Sequence, residues 1–169
     1  PRPAVERAVS TTQTFHETGG LVGRLLLAYL AVRIAGRLRL LRIFLIPGMF
    51  VLPFVFVFPA TWNLTAARLG IFMVGMTTVG QFSFWGNYLP RMYPVHLRGT
   101  GESFAMNVGG RLVGTCFAWV TATLAITADR AYAPTKMAIV AAGVGFSVYL
   151  VGLISSFWLP EPKREELPD

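Results

Sequence analysis

Acidic residues are scarce: eight Asp and Glu stand against fifteen Lys and Arg in 169 residues, and all charged residues together make up 14%. None of the eight acids falls inside a long apolar stretch. Ile43 to Arg68 and Lys136 to Glu161 carry no charge between their ends. A soluble domain of this length would spread charges over its helix faces at 3.6-residue spacing, so a soluble helical bundle is excluded. Cysteine is almost absent too. Cys116 stands alone in an apolar helix, where it reads as a small hydrophobe and leaves no disulfide partner. The chain also lacks a metal-spaced His or Cys cluster, a Gly-rich phosphate loop and a nucleophile elbow. No metal, no cofactor and no enzyme is indicated.

What remains is apolar, at 54% of positions, which is the composition of an all-α, polytopic membrane bundle. Five transmembrane helices are expected, over residues 19–35, 43–58, 66–89, 100–127 and 134–159. Residues 1–18 form an extramembrane N-terminal segment without the architecture of a signal peptide, and 160–169 form a polar cytoplasmic tail. Pro47 and Pro53 fall in the second span, where neighbouring helices must satisfy the carbonyls they free.

The net charge of +7 would point to nucleic acid in a soluble protein. Here it reads as topology. Arg33, Arg37, Arg39 and Arg42 crowd one connection, Arg91 and Arg98 sit two spans later, and the connections between are poorer in basic residues, which places the two Arg-rich connections in the cytoplasm. The Arg33–Arg42 cluster also suits anionic membrane lipid. Asn63-Leu64-Thr65 matches a glycosylation triplet, but the loop is too short and too close to the membrane to be one.

Inside the spans two arginines need explaining. At the helical rise, Arg111 lies about 16 Å from Thr100, and Arg24 about 14 Å from Arg33, at the same edge. Both sit near the bilayer midplane, where a charge costs roughly 2.5–3.5 kcal/mol on insertion scales. Glu102 cannot neutralise Arg111 within the helix, because it is about 13 Å away along the axis and nearly half a turn round. With Thr100 as a cap, Glu102 is expected in a first helical turn, where a carboxylate suits the positive helix end. Guanidinium forks match carboxylate and phosphate, so an anionic substrate and acids from other helices are the two available counter-charges.

The neighbours of Arg111 fit a cavity wall. Asn107, Arg111, Thr115 and Trp119 recur every four residues as a polar stripe. Gly110, Gly114, Ala118 and Ala122 recur beside it as a ridge of small side chains on which a helix can pack closely. Gly19 and Gly23 open the first span with the same spacing. Gln81 and Trp85, one turn apart in the third span, complete the candidate substrate contacts.

Several segments resemble the major facilitator superfamily of carriers. AYLAVRIAGRLRLL resembles its signature loop. PRMYPVHLRGTGES is similar to the E-x-F-P-x-x-x-R-x-x-G connection of the sugar-porter and metabolite-symporter branches, with Tyr93, Pro94, Arg98 and Gly101 in matching places. LPEPKREELPD resembles their proline-glutamate tail. The order of these segments fits the second half of a twelve-helix carrier from its eighth helix onward. The resemblance implies one wall of a midplane site, with a missing N-terminal six-helix half and a seventh helix supplying the rest. Arg33, Arg37, Arg39, Arg98 and Glu102 would then belong to the cytoplasmic gating loops. Val32 replaces the usual aspartate of the first motif and Arg91 the usual glutamate of the second, so the family's charge relay is altered.

The expected function is therefore the C-terminal part of a secondary active transporter in a plasma or bacterial inner membrane. It would move a small anionic metabolite by alternating access, with proton coupling implied by the resemblance. A stand-alone five-span scaffold that oligomerises through its small-residue ridge, or an inactive transporter remnant, is the alternative.

Overall fold

A computed structural model describes residues 2–34, 36–58, 63–126 and 132–161. The chain is mostly helical, as an all-α fold requires, and among the described residues there is no strand. The helices are α1 (Arg2–Arg33), α2 (Arg37–Val57), α3 (Leu64–Thr78), α4 (Phe82–Tyr88), α5 (Val95–Phe104), α6 (Gly110–Leu124) and α7 (Ala133–Ser155). Short 3₁₀ turns at Val79–Gln81 and Leu89–Arg91 flank α4, and a π-helical turn, Ala105–Gly109, joins α5 to α6. Two helices, α2 and α7, are each long and apolar enough to cross a membrane.

Residues 2–18 of the expected polar segment and 19–33 of the first expected span belong to one helix; Pro1 and Ala35 lie outside the described residues. α1 has 32 residues and is about 48 Å long, against a hydrocarbon core of about 30 Å. No glycine or proline interrupts it between Ala4 and Thr18, and the hydroxyls of Thr11, Thr12, Thr14 and Thr18 each donate to the carbonyl four residues back, which keeps polar side chains compatible with the helix. Gly36, at φ 97°, turns the chain into α2; glycine reaches that conformation without a side-chain clash. α2 then passes through both Pro47 and Pro53 without a break. Asn63 starts α3 by accepting from the backbone N–H groups of Thr65 and Ala66, at 2.9 and 3.2 Å. Its place in the glycosylation triplet is that of a helix cap.

Packing follows the glycines. A β-carbon at Gly19 would stand 2.0 Å from the carbonyl oxygen of Phe72, and one at Gly23 would stand 2.2 Å from that of Met76. The matching increments show that α1 and α3 run parallel, backbone against backbone. From the other side, a β-carbon at Gly75 would meet the His16 carbonyl oxygen at 2.1 Å. α2 and α7 run antiparallel, with Gly48 under the Tyr149 ring and Gly145 under Leu52. The buried core lies at one end, where Leu27, Leu38, Leu41, Phe44, Leu45, Phe84, Tyr88 and Tyr149 meet. That is the end at which the α1–α2 turn, α4 and the close of α7 converge.

The helical run over the expected fourth span begins before Thr100. Pro94, extended at φ −63° and ψ 158°, opens α5 at Val95. Thr100 is therefore no cap, and Glu102 lies in the helix interior instead of its first turn. α6 packs lightly on α7, and none of its residues is buried. Thr127, at the end of that expected span, and residues 162–169 of the expected tail lie outside the described residues.

Candidate functional site

Two members of the expected polar stripe, Asn107 and Arg111, form a short ladder of side chains in the fourth helical run. Asn107 Nδ2 donates to the Ser103 carbonyl at 2.9 Å, and Arg111 Nε donates to Asn107 Oδ1 at 3.2 Å. Arg111 makes no ion pair among the described residues. Asn107, Arg111, Thr115 and Trp119 are all exposed, and Trp119 keeps 69% of its surface. Arg111 thus presents the remainder of its guanidinium donors outward from a face that nothing in the described chain covers.

Beside this ladder the small-residue ridge is open. Among the described residues nothing lies within 4 Å of the positions where β-carbons would stand at Gly110 and Gly114, and Ala118 and Ala122 are exposed. The contrast with Gly19 and Gly23, whose equal spacing is fully used against α3, is direct.

The other expected substrate contacts are not gathered here. Arg24 is exposed on α1, and α1 and α6 share no packing interface. Gln81 donates to the Thr77 carbonyl at 2.7 Å, a contact within its own helical run. Trp85 lies edge-on to Phe84 and Tyr88, with ring centroids 5.1 and 5.9 Å away, so it packs on the core cluster. An open apolar groove of about 1030 Å³ between α2 and α3, lined by Phe50, Phe54, Phe58, Leu69 and Met73, contains none of the expected site residues.

A second polar cluster closes the end of the bundle that carries the core, and the sequence pattern had split it. The backbone N–H of Arg37, at the start of α2, donates to Glu161 Oε1 at 2.5 Å, and the Arg37 guanidinium donates to Asn87 Oδ1. The Tyr88 hydroxyl donates to the Pro160 carbonyl at 2.7 Å. Gly36, with no side chain, cannot cap α2, and the carboxylate of Glu161 takes that role from 124 residues away. An anionic group there suits the positive helix end. Arg42 is held close by: its Nε and Nη2 donate to Ser156 Oγ and to the Ser156 carbonyl at 3.0 and 3.1 Å, and its guanidinium lies 4.2 Å from the Phe157 ring centroid. Ser156 is fully buried.

The remaining gating candidates divide by exposure. Arg33 is exposed and lies over the Tyr29 ring at 5.3 Å. Arg39 is exposed, while Arg98 and Glu102 are half-buried on α5. Asn87, Tyr88 and Glu161 were absent from the expected site. Their only sequence signal was the proline-glutamate pair that follows the last apolar run. Comparison with protein-family models, with curated proteins and with solved structures finds no match to this chain.

Proposed function

We propose that this chain is the C-terminal part of a secondary transporter of the major facilitator type, carrying a small anion by alternating access. In this reading five spans cross the membrane: the second half of α1, α2, the α3–α4 run, the α5–α6 run and α7. The α1–α2 turn and the C-terminus face the cytoplasm. The observation that carries the reading is Arg111 on an open, unburied helix face, tied to Asn107 and without an acidic partner among the described residues. A guanidinium at that depth needs a counter-charge, and its free donors fit a carboxylate or phosphate. The open ridge at Gly110 and Gly114 supports a second helical half closing over the same face.

The polar cluster at Glu161 supports a cytoplasmic latch in the same carrier. Val32 and Arg91 replace two acids of the family's relay, and Glu161 supplies a carboxylate at the start of α2.

Uptake of a panel of radiolabelled carboxylates and phosphate esters into proteoliposomes tests the proposal, using the intact gene product. Arg111→Lys keeps the charge but loses the fork. Removing a charge-assisted hydrogen bond worth about 1.5–3 kcal/mol should raise the half-saturation concentration roughly 10- to 100-fold. Unchanged uptake by Arg111→Ala, with normal membrane insertion, would remove Arg111 from the site. A C-terminally tagged product of 18.5 kDa would favour the scaffold alternative, whereas a product two to three times heavier, as a twelve-helix carrier needs, fits the transporter.

A further inference from the structure

The helical run from Val95 to Leu124 changes its winding in the middle. Ala105–Gly109 forms a π-helical turn, which accommodates one residue more than an α-helix does and, inside a helix, frequently marks a functional position. The side chain of Asn107 bridges this turn. It donates to Ser103 on the preceding turn and accepts from Arg111 on the following one, so three consecutive turns are tied through one amide.

Among the described residues, light packing on α7 is the main further constraint on the rotation of α6. Nothing lies within 4 Å of the positions where β-carbons would stand at Gly109, Gly110 and Gly114. No residue of the π-turn or of α6 is buried. Within the described chain, the face that α6 presents is therefore set by the π-turn, the Asn107 bridge and a light contact with α7, and its remaining faces are uncovered.

We infer that Ala105–Gly109 is a register switch: relaxation of the π-turn to α-helix rotates α6 by about 100°, and an anion that engages Arg111 releases the Asn107 bridge and drives that rotation. The inference rests on the reading of Arg111 as an anion contact. It deepens that reading by making the contact a trigger as well as an anchor. An anion can shift the two registers only by as much as it prefers one of them, so the effect belongs to ligands that Arg111 meets differently before and after rotation.

Cys116 is the only cysteine of these 169 residues and is exposed on α6, so its thiol reports the helix's rotation. The experiment measures the rate at which a membrane-impermeant maleimide labels Cys116 in proteoliposomes, with and without succinate or inorganic phosphate. It uses the full gene product with any thiol outside this chain replaced by serine. Either anion should change the rate by about threefold or more, as expected when a minor register becomes the major one. Deletion of Val108 removes the extra residue and lets the helix run straight with α6 in its present rotation; this variant should show one rate, with or without anion. Asn107→Ala should shift the rate toward the anion-bound value before any anion is added, and it carries the test if the deletion variant fails to fold.

An unchanged Cys116 rate in the wild type, together with weakened transport by Arg111→Lys, overturns the switch and leaves the site standing. If neither labelling nor transport depends on Arg111, both readings fall. A deletion variant that responds to anion as the wild type does also overturns the switch.

Discussion

Alanine at Gly23 should loosen the bundle, and alanine at Gly114 should not. The two positions have the same residue type in the same kind of helix, so the gain in helix propensity of up to about 1 kcal/mol on replacing glycine applies to both and cancels in the comparison. What differs is the surroundings. A β-carbon at Gly23 would stand 2.2 Å from the Met76 carbonyl oxygen, and ordinary contact begins near 3.4 Å, so α1 and α3 must part by about 1.2 Å. The obstacle is backbone, which cannot step aside as a flexible side chain can. A radial gap of about 0.5–1 Å already forfeits a quarter to a half of each dispersion contact along the seam, and overpacking of this kind costs about 1–3 kcal/mol. A β-carbon at Gly114 would meet nothing within 4 Å among the described residues. Unfolding of the 169-residue chain in mixed micelles with increasing dodecyl sulfate, followed by tryptophan fluorescence, should therefore place Gly23→Ala about 1–3 kcal/mol below Gly114→Ala. Equal stabilities would refute the close α1–α3 approach; a lower stability for Gly114→Ala would show that α6 is packed after all.

Two further changes probe the ends of helices. Asn63→Ala removes the acceptor for two backbone N–H groups of α3 and should cost about 1 kcal/mol in the same assay, while Asn63→Asp should retain most of the stability. Glu161→Gln keeps the shape of the cap on α2 but removes its charge. The loss should be about 0.3–1 kcal/mol at low salt and should shrink as ionic strength rises; a loss independent of salt would show that charge is not what Glu161 contributes.

The helices were legible because charge-free runs are long and their boundaries are arginines. Their extents were less so. Hydropathy separates Glu6 and Glu17 from the apolar run that follows, but hydropathy does not by itself stop a helix, and between Ala4 and Thr18 α1 meets no glycine or proline. Thr100 looked like a cap by residue type, yet Pro94 had already opened the helix. Of the candidate site, the Asn107–Arg111 pair could be read from its four-residue spacing, since that spacing places side chains on neighbouring turns. Spacing alone could not say which small-residue pair is used. Gly19 and Gly23 find α3, and Gly110 and Gly114 find nothing within the described chain. The Glu161 cap lay beyond any local pattern, because it joins residues 124 positions apart through a fold that had to be built first.

That cap also sets an order of assembly. The α1–α3 seam closes between segments made early, and it needs nothing that follows Gly80. The start of α2, by contrast, waits for Glu161, which emerges from the ribosome only after α7 has been made. A chain released before α7 would hold its glycine seam while leaving the Arg37 N–H at the start of α2 without its carboxylate. The end of the bundle that carries the core is therefore the end finished last, and a nascent chain is most exposed to misassembly there.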